Sequence, residues 1–396
     1  RRQIAQGSLA TAKKMKSMPA TSSYDDVVSE ADKSYNAIID IYETGDNVPE
    51  NIYSSMEDNI EERGNNPIDN IGLIGPHPRL HEIWGPLLIP GNISVFAARS
   101  GVGKTQLQMD YCTKASAMND NIPVFHLDNG EMSFEELQMR QCAALSGVSL
   151  SLLLSGRWRN AGDDIVRKVR KVWPKVKELK YQYYQCGGMS IDQMLNVVRR
   201  YYLCKVGRGN PMILNFDYIK STFEQFGNKS EWQIVGELVD KFKSLIMKEL
   251  VFENGPVISM LTSVQMNRQG ISRNRTAEHQ TEDDSVISLS DRITQFCSHV
   301  FLLREKEPDE ITADLNFGTH KLVSVKSRHL GQDAQGAMVP VRLADGSLRR
   351  NYINLDFNNF NITERGDLRD LVEHLRIEGM TPDEDGEDEL PGLFNG

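Results

Sequence analysis

The chain has 396 residues, 39% of them hydrophobic, a formal charge of −10 and five cysteines. That length suits one large α/β domain with appendages. No apolar run approaches the ~20 residues that cross a bilayer, and the global acidity argues against a nucleic-acid coat. The cysteines (Cys112, Cys142, Cys186, Cys204, Cys297) are odd in number and form no C-x-x-C pair. A zinc site or disulfide framework is therefore not expected, and a reducing, cytoplasmic setting is.

The first residues, Arg1-Arg2-Gln3, carry neither Met nor a secretory signal and read as the edge of a longer protein. Residues 1–20 hold Arg1, Arg2, Lys13, Lys14 and Lys16 without an acid, and are expected to close an upstream helical region. A linker follows around Pro19–Ser23. Val27, Val28, Ala31, Tyr35, Ile38, Ile39 and Tyr42 then recur at helical spacing, which predicts a helix over Asp25–Thr44, closed by Gly45. Within residues 21–70 that helix has little to pack on, so docking against a neighbouring subunit is expected.

From Ile71 to Phe360 strands alternate with helices, the pattern of an α/β fold with a mostly parallel sheet covered on both faces. The expected strands are Ile93–Ala97, Val124–Leu127, Tyr181–Gln185, Met212–Tyr218, Val257–Thr262, Val300–Leu303 and Lys321–Lys326. The expected helices include Lys104–Met118, Ser133–Leu145, Asp163–Val172, Ile191–Leu203 and Glu231–Phe252. Arg167, Lys168, Arg170, Lys171, Lys175 and Lys177 have sparse aromatic interleaving, so they read as a solvated helix face. This domain is taken to span 71–378. Beyond it, 379–396 is an acidic tail with Asp383, Glu384, Asp385, Glu387, Asp388 and Glu389, either a solvated end or an interaction segment.

The segment Ala98–Thr105 reads A-R-S-G-V-G-K-T between an expected strand and an expected helix. That is the setting of a nucleotide phosphate-binding loop, although Ala98 stands where the first Gly is usual. Gly101 and Gly103 let the backbone turn its N–H groups toward a phosphate. Ser100, Gly101, Val102, Gly103, Lys104 and Thr105 form the expected cradle. Lys104 reaches the β- and γ-phosphates, and the Thr105 hydroxyl holds Mg²⁺.

Further residues fill out a hydrolytic site. Met212–Phe216 leads into Asp217, at the strand end where α/β sheets bind ligands and where an acid holds the metal shell opposite Thr105. Asn215 interrupts this apolar run and needs hydrogen-bond partners if buried. Activating a water needs a base, and Asp128 and Glu131 compete for that role in one loop. Gln265, ending another strand, is placed to touch a γ-phosphate. The polar stretch Gln269–Asp284 after it carries Arg273 and Arg275, follows Arg268, and is long enough to be functional. Lys326 and Arg328, two residues apart, face the same way on an extended strand and form a candidate phosphate clamp.

In this order the motifs resemble the ATPase domain of replicative DnaB-type hexameric helicases, a RecA-like family. Ala97–Thr105 looks like that family's phosphate loop, where Ala is often found at the first Gly position. Gly130-Glu131-Met132-Ser133, with Glu135, Leu137 and Arg140, is similar to its E-M-S block, which favours Glu131 as the base. Asp217-Tyr218 looks like its D-Y pair, Gln265-Met266-Asn267-Arg268 its Q-L-N-R, and Lys326–Gly331 its K-Q-R-N-G, whose Lys and Arg act across a subunit interface. The lead-in Ile71–Asn92 and the helix Asp25–Thr44 match the family as well, while its N-terminal collar is essentially missing. One block departs: Ser288–Gln295 stands where the family has R-E-S-G-S-I-E-Q, which suggests a phage-encoded or distant member.

The resemblance implies a RecA-like core that uses ATP and Mg²⁺, forms a homo-hexamer and moves 5′→3′ on single-stranded DNA. Asn267, Arg268, Arg273, Arg275 and Arg292 are the expected DNA contacts, with Ser221–Lys229 as another DNA-facing loop. Partners would be a primase, a helicase loader or polymerase components, in bacterial or phage-infected cytoplasm and away from any membrane. The alternatives are a RecA/RadA-like recombinase and an inert loading or scaffold subunit.

Overall fold

The computed structural model describes residues 2–19, 22–23, 26–33, 51, 53–68, 70–220, 231–253, 255–266, 291–343 and 346–378. The chain divides into two compact units. One comprises Arg1–Ile71 with Met189–Tyr201, the other Gly72–Gly188 with Tyr202–Gly396.

The first unit is helical. Its helices are Arg2–Ser17, residues 26–33, Met56–Asn65 and Ile191–Tyr201. Ser23 caps residues 26–33 reciprocally: its hydroxyl accepts from Asp26 N at 3.1 Å, and the Asp26 carboxylate accepts from Ser23 N at 3.1 Å. Lys14 pairs with Glu30, so the basic helix and the acidic one meet. The predicted stretch 34–44 lies outside the described residues.

The second unit is built on a nine-stranded sheet. Its strands are β1 (Ile93–Ala98), β2 (Val124–Asp128), β3 (Tyr181–Gln185), β4 (Met212–Ile219), β5 (Ile258–Gln265), β6 (His299–Glu305), β7 (His320–Ser327), β8 (Tyr352–Asn358) and β9 (Asn361–Asp367). They lie in the order β9-β8-β7-β6-β1-β5-β4-β2-β3. The six from β6 to β3 are parallel, and β7, β8 and β9 add on antiparallel.

All seven expected strands are present, each within a few residues of its predicted bounds. The β8–β9 hairpin was not predicted. Its first strand does alternate, Ile353-Asn354-Leu355-Asp356-Phe357-Asn358, whereas the second, N-I-T-E-R-G-D over Asn361–Asp367, carries a single apolar residue.

Central parallel strands are covered on both faces, so β1 is buried at every position. On one face lies the helix Lys104–Met118, whose Leu107, Tyr111 and Cys112 join Phe96, Ile213 and Phe301 in the main core. On the other face Phe216 of β4 meets Phe242 of the helix Glu231–Ser244 at 5.3 Å between ring centroids. This last helix passes into a π-helical turn, Leu245–Glu249, and the helical run stops short of the predicted Phe252 because Val251–Phe252 and Gly255–Pro256 form a small hairpin with Gly255 at φ 91°. Ser133 caps the helix Phe134–Ser146 rather than entering it, its side chain accepting from Glu136 N.

Asn215 is fully buried between β2 and β5 and has its partners. It accepts from Gln108 Nε2 at 3.1 Å and donates to His126 Nδ1 at 2.8 Å. Arg167, Lys168, Arg170, Lys171, Lys175 and Lys177 are all exposed, as a solvated face requires. Among the described residues no helix is long and apolar enough to cross a membrane.

Candidate active site

The phosphate loop runs from the carboxyl end of β1 into the helix that starts at Lys104. Gly101 and Gly103 have φ of 86° and 99°, values that favour glycine over any L side chain. At Gly103 space is short as well: a Cβ would lie 2.8 Å from the Phe357 ring. Ala98 needs no such freedom. It is the last residue of β1, paired in register with Gln265 and fully buried. Ser100 is exposed and Val102 half-buried, so the loop presents its backbone outward.

Lys104 folds back onto its own loop, donating from Nζ to the Arg99 carbonyl at 3.1 Å. Burial lowers its pKa, while Glu131 and Asp217 pull it back up. The lysine therefore sits in an acidic field with no carboxylate bonded to it, and is free to turn to a phosphate.

Asp217, near the end of β4, is fully buried, and its carboxylate feels the Thr105 hydroxyl without either oxygen making a hydrogen bond of good geometry. Burial pushes its pKa up to about 7; the Thr105 hydroxyl works against this, and the charges of Asp128 and Glu131 add to it. Orphaned buried oxygens are costly. Two of them near a phosphate-loop threonine suit a hard, oxygen-seeking cation such as Mg²⁺. The residues present therefore fit the expected ion, with Thr105 and Asp217 as its holders.

Asp128 and Glu131 separate cleanly. Asp128 is buried at the end of β2 and spends its carboxylate on backbone: Oδ1 accepts from Gly130 N at 2.7 Å and Glu131 N at 2.9 Å, and Oδ2 from Met132 N at 3.3 Å. It is the brace of the loop. Glu131 is exposed, and its charge reaches Lys104, Asp217 and Tyr218. A base must meet water, and of the two only Glu131 can.

Tyr218 links the groups around it. Its ring lies 5.6 Å from Lys104 Nζ, and its hydroxyl donates to Gln265 Oε1 at 3.3 Å. Sequence reading named Tyr218 only as half of a D-Y pair and gave it no role. Gln265 ends β5 next to Ala98, and Met266 N donates to the Ala98 carbonyl at 3.0 Å.

Lys326 and Arg328 lie elsewhere. β7 runs antiparallel, and Lys326 pairs with Val300 at the start of β6, which itself pairs with Val95 near the start of β1. The two cations therefore sit at the amino edge of the parallel strands, and the phosphate loop sits at the carboxyl edge. Only the rise from Val95 to Ala98 along β1 is counted in a separation of ~10 Å, and the loop adds more. Lys326 donates to the Thr294 carbonyl and Arg328 to that of Gln295, so both face the end of the helix Asp291–Phe296.

Asn267, Arg268, Arg273, Arg275 and the loop Ser221–Lys229 lie outside the described residues, as do the Arg292 side chain and the acidic tail.

A strand–loop–helix phosphate cradle, a buried acid on a neighbouring strand and a glutamine at the end of the strand between them define a phosphate-loop nucleotide-binding domain of the RecA type. Residues 84–335 match the DnaB-like helicase C terminal domain family, and the chain belongs to it. A replicative DNA helicase DnaB of Helicobacter pylori is 28% identical over 180 residues, 45% of this chain and 33% of that protein. That of Pasteurella multocida is 25% identical over 362 residues, 87% of this chain and 68% of the protein. The chain thus spans about a third of the Helicobacter relative's length.

Among solved structures, a DnaB-like replicative helicase described with its interactions with primase superposes at a TM-score of 0.57 with 15% identity, covering 91% of this chain and 76% of that one. A second, of an isolated ATPase domain, gives 0.58 and 16%, covering 79% and 99%. These likenesses establish the fold.

Proposed function

We propose that the chain is the motor part of an ATP-driven replicative DNA helicase that works as a homo-hexamer on single-stranded DNA. The observation that carries this reading is the split between the two sheet edges. One edge holds the phosphate loop, Asp217, Glu131 and Gln265; the other holds Lys326 and Arg328, too far away to serve the same nucleotide. A ring that sets the amino edge of one copy against the carboxyl edge of the next would complete each site. Membership of the DnaB-like helicase family supports the helicase reading.

In such a site Ser100 to Gly103 offer backbone N–H groups to the phosphates, and Lys104 exchanges the Arg99 carbonyl for a phosphate oxygen. Thr105 and Asp217 would hold Mg²⁺, which would supply charge neutralisation on the phosphates. Glu131 orients an attacking water and takes its proton. Lys326 and Arg328 of the neighbouring copy meet the charge that develops on the transferred phosphoryl group. Gln265 contacts the γ-phosphate and passes its loss to the segment beginning at Asn267.

Asn267, Arg268, Arg273, Arg275 and Arg292 then grip DNA mainly through its backbone, which gives salt-dependent binding with little sequence preference. A local basic lining is compatible with a net charge of −10. The helix predicted over Asp25–Thr44 docks on the adjacent copy, and primase, loader or polymerase components are the expected partners.

The test is unwinding of a forked DNA with ATP, scored for polarity. Lys104→Ala is expected to abolish both ATPase and unwinding, and unwinding that survives it would refute the reading. A closed ring on DNA by microscopy separates this motor from a filament-forming recombinase.

A further inference from the structure

The cation pair at the amino edge is held by an anchor built around Asn92, the residue that opens into β1. Ser298 is its hub. Its N–H donates to the Ile93 carbonyl at 2.8 Å, its carbonyl accepts from Arg328 N at 2.9 Å, and its hydroxyl donates to Asn92 Oδ1 at 2.5 Å. From the opposite side Lys243, in the helix Glu231–Ser244, donates from Nζ to the Gly91 carbonyl at 2.7 Å and to Asn92 Oδ1 at 3.3 Å. One amide oxygen thus ties a lysine on a covering helix to the serine that fixes the Arg328 backbone.

The charges around this anchor are one-sided. Lys243, Lys326 and Arg328 form no ion pair among the described residues. Lys243 and Lys326 both feel Arg328, and burial together with that repulsion lowers the pKa of each. His329 is lowered by burial and by Lys243 and Arg328. Cations gathered without a carboxylate repel one another, and such a group holds its shape only if neutral oxygens pin each member. Here the Gly91, Thr294 and Gln295 carbonyls and Asn92 Oδ1 do the pinning.

We propose that Lys243 and Asn92 are positioning residues for Arg328: through Ser298 they fix the backbone segment that presents its guanidinium to a phosphate on the next copy. The proposal rests on the reading that Arg328 serves a neighbour's nucleotide. It also places the anchor and the phosphate loop at opposite ends of the same six-residue strand, Ile93–Ala98, so the site a subunit completes and the site it owns share one rigid element.

The test uses the full chain in the presence of single-stranded DNA. Lys243→Met and Asn92→Ala are expected to lower the kcat for ATP ~10-fold while leaving KM within about twofold, because each copy's own phosphate loop is untouched. Lys243→Arg is expected to keep most of the activity. Mixing Lys243→Met with Glu131→Gln copies gives about one interface in four an intact Glu131 facing an Arg328 whose Lys243 anchor is intact, so ATPase should rise above that of either pure form.

Mixing Arg328→Ala with Glu131→Gln is the control. Recovery in the control but not with Lys243→Met would overturn the positioning role alone. No recovery in either would overturn the shared-site reading beneath it. Wild-type kcat in both Lys243→Met and Asn92→Ala, or a raised KM with kcat unchanged, would also overturn the proposal.

Discussion

The two edges of the parallel sheet are built on opposite electrostatic plans. At the carboxyl edge cation and anions face each other: Lys104 lies in the field of Asp217 and Glu131, and Asp128 braces the loop through three backbone N–H groups. At the amino edge Lys243, Lys326 and Arg328 meet, among the described residues, carbonyl and amide oxygens. The first arrangement sets a cation among its own anions. Among the described residues the second has no carboxylate paired with its cations, which suits an incoming anion. A chain that owns one of each makes half a site twice.

Four substitutions or conditions should separate the edges. Arg328→Ala, at the amino edge, should cost ~10³-fold or more in kcat while leaving nucleotide binding by the same chain intact; a large loss of nucleotide affinity, measured by fluorescence titration, would erase the distinction. Glu131→Gln, at the carboxyl edge, should cost ~10²–10⁴-fold in kcat with binding retained.

Acidity should act on the carboxyl edge through Asp217, whose pKa is raised to about 7. A folded carboxyl with a raised pKa keeps its proton after the unfolded chain has released it near 3.8, so this group lowers stability as pH rises from about 4 to 7. Divalent-cation affinity should therefore fall up to ~10-fold per pH unit below about 7, and calorimetry on Asp217→Asn should show neither effect. The smallest effect expected is from Asp128→Ala. It orphans three loop N–H groups, each worth about 1–3 kcal/mol of stability where water cannot replace the carboxylate, with only a several-fold loss of rate, read by thermal unfolding and ATPase assay.

Much of the carboxyl edge was legible in the sequence because glycines, a lysine and strand-end acids are placed there by local rules. The phosphate loop, Asp217 and Gln265 all fall where strand ends put them. Asn215, an awkward residue in a strand read as buried, is explained by Gln108 and His126 beside it. The brace role of Asp128 was not legible: which carboxylate takes backbone N–H groups depends on how the loop curls, and spacing alone left it level with Glu131.

The amino edge was harder to read. That Lys326 and Arg328 face away from their own phosphate loop follows from the antiparallel addition of β7, a matter of sheet order. Lys243 is one lysine among several on a helix, and only packing brings it to Asn92. In the β8–β9 hairpin the first strand carries the alternation of a strand, Ile353-Asn354-Leu355-Asp356-Phe357-Asn358, but its partner Asn361–Asp367 has one apolar residue and no such signal, and Phe357 is what a side chain at Gly103 would strike.

The central claim is that each nucleotide is served by two copies of the chain. The most direct measurement is the ATPase rate of Arg328→Ala and Glu131→Gln copies, each inactive alone, after mixing on single-stranded DNA. Shared sites predict that activity returns on mixing, with about one interface in four restored. A mixture as inactive as its components would contradict the account.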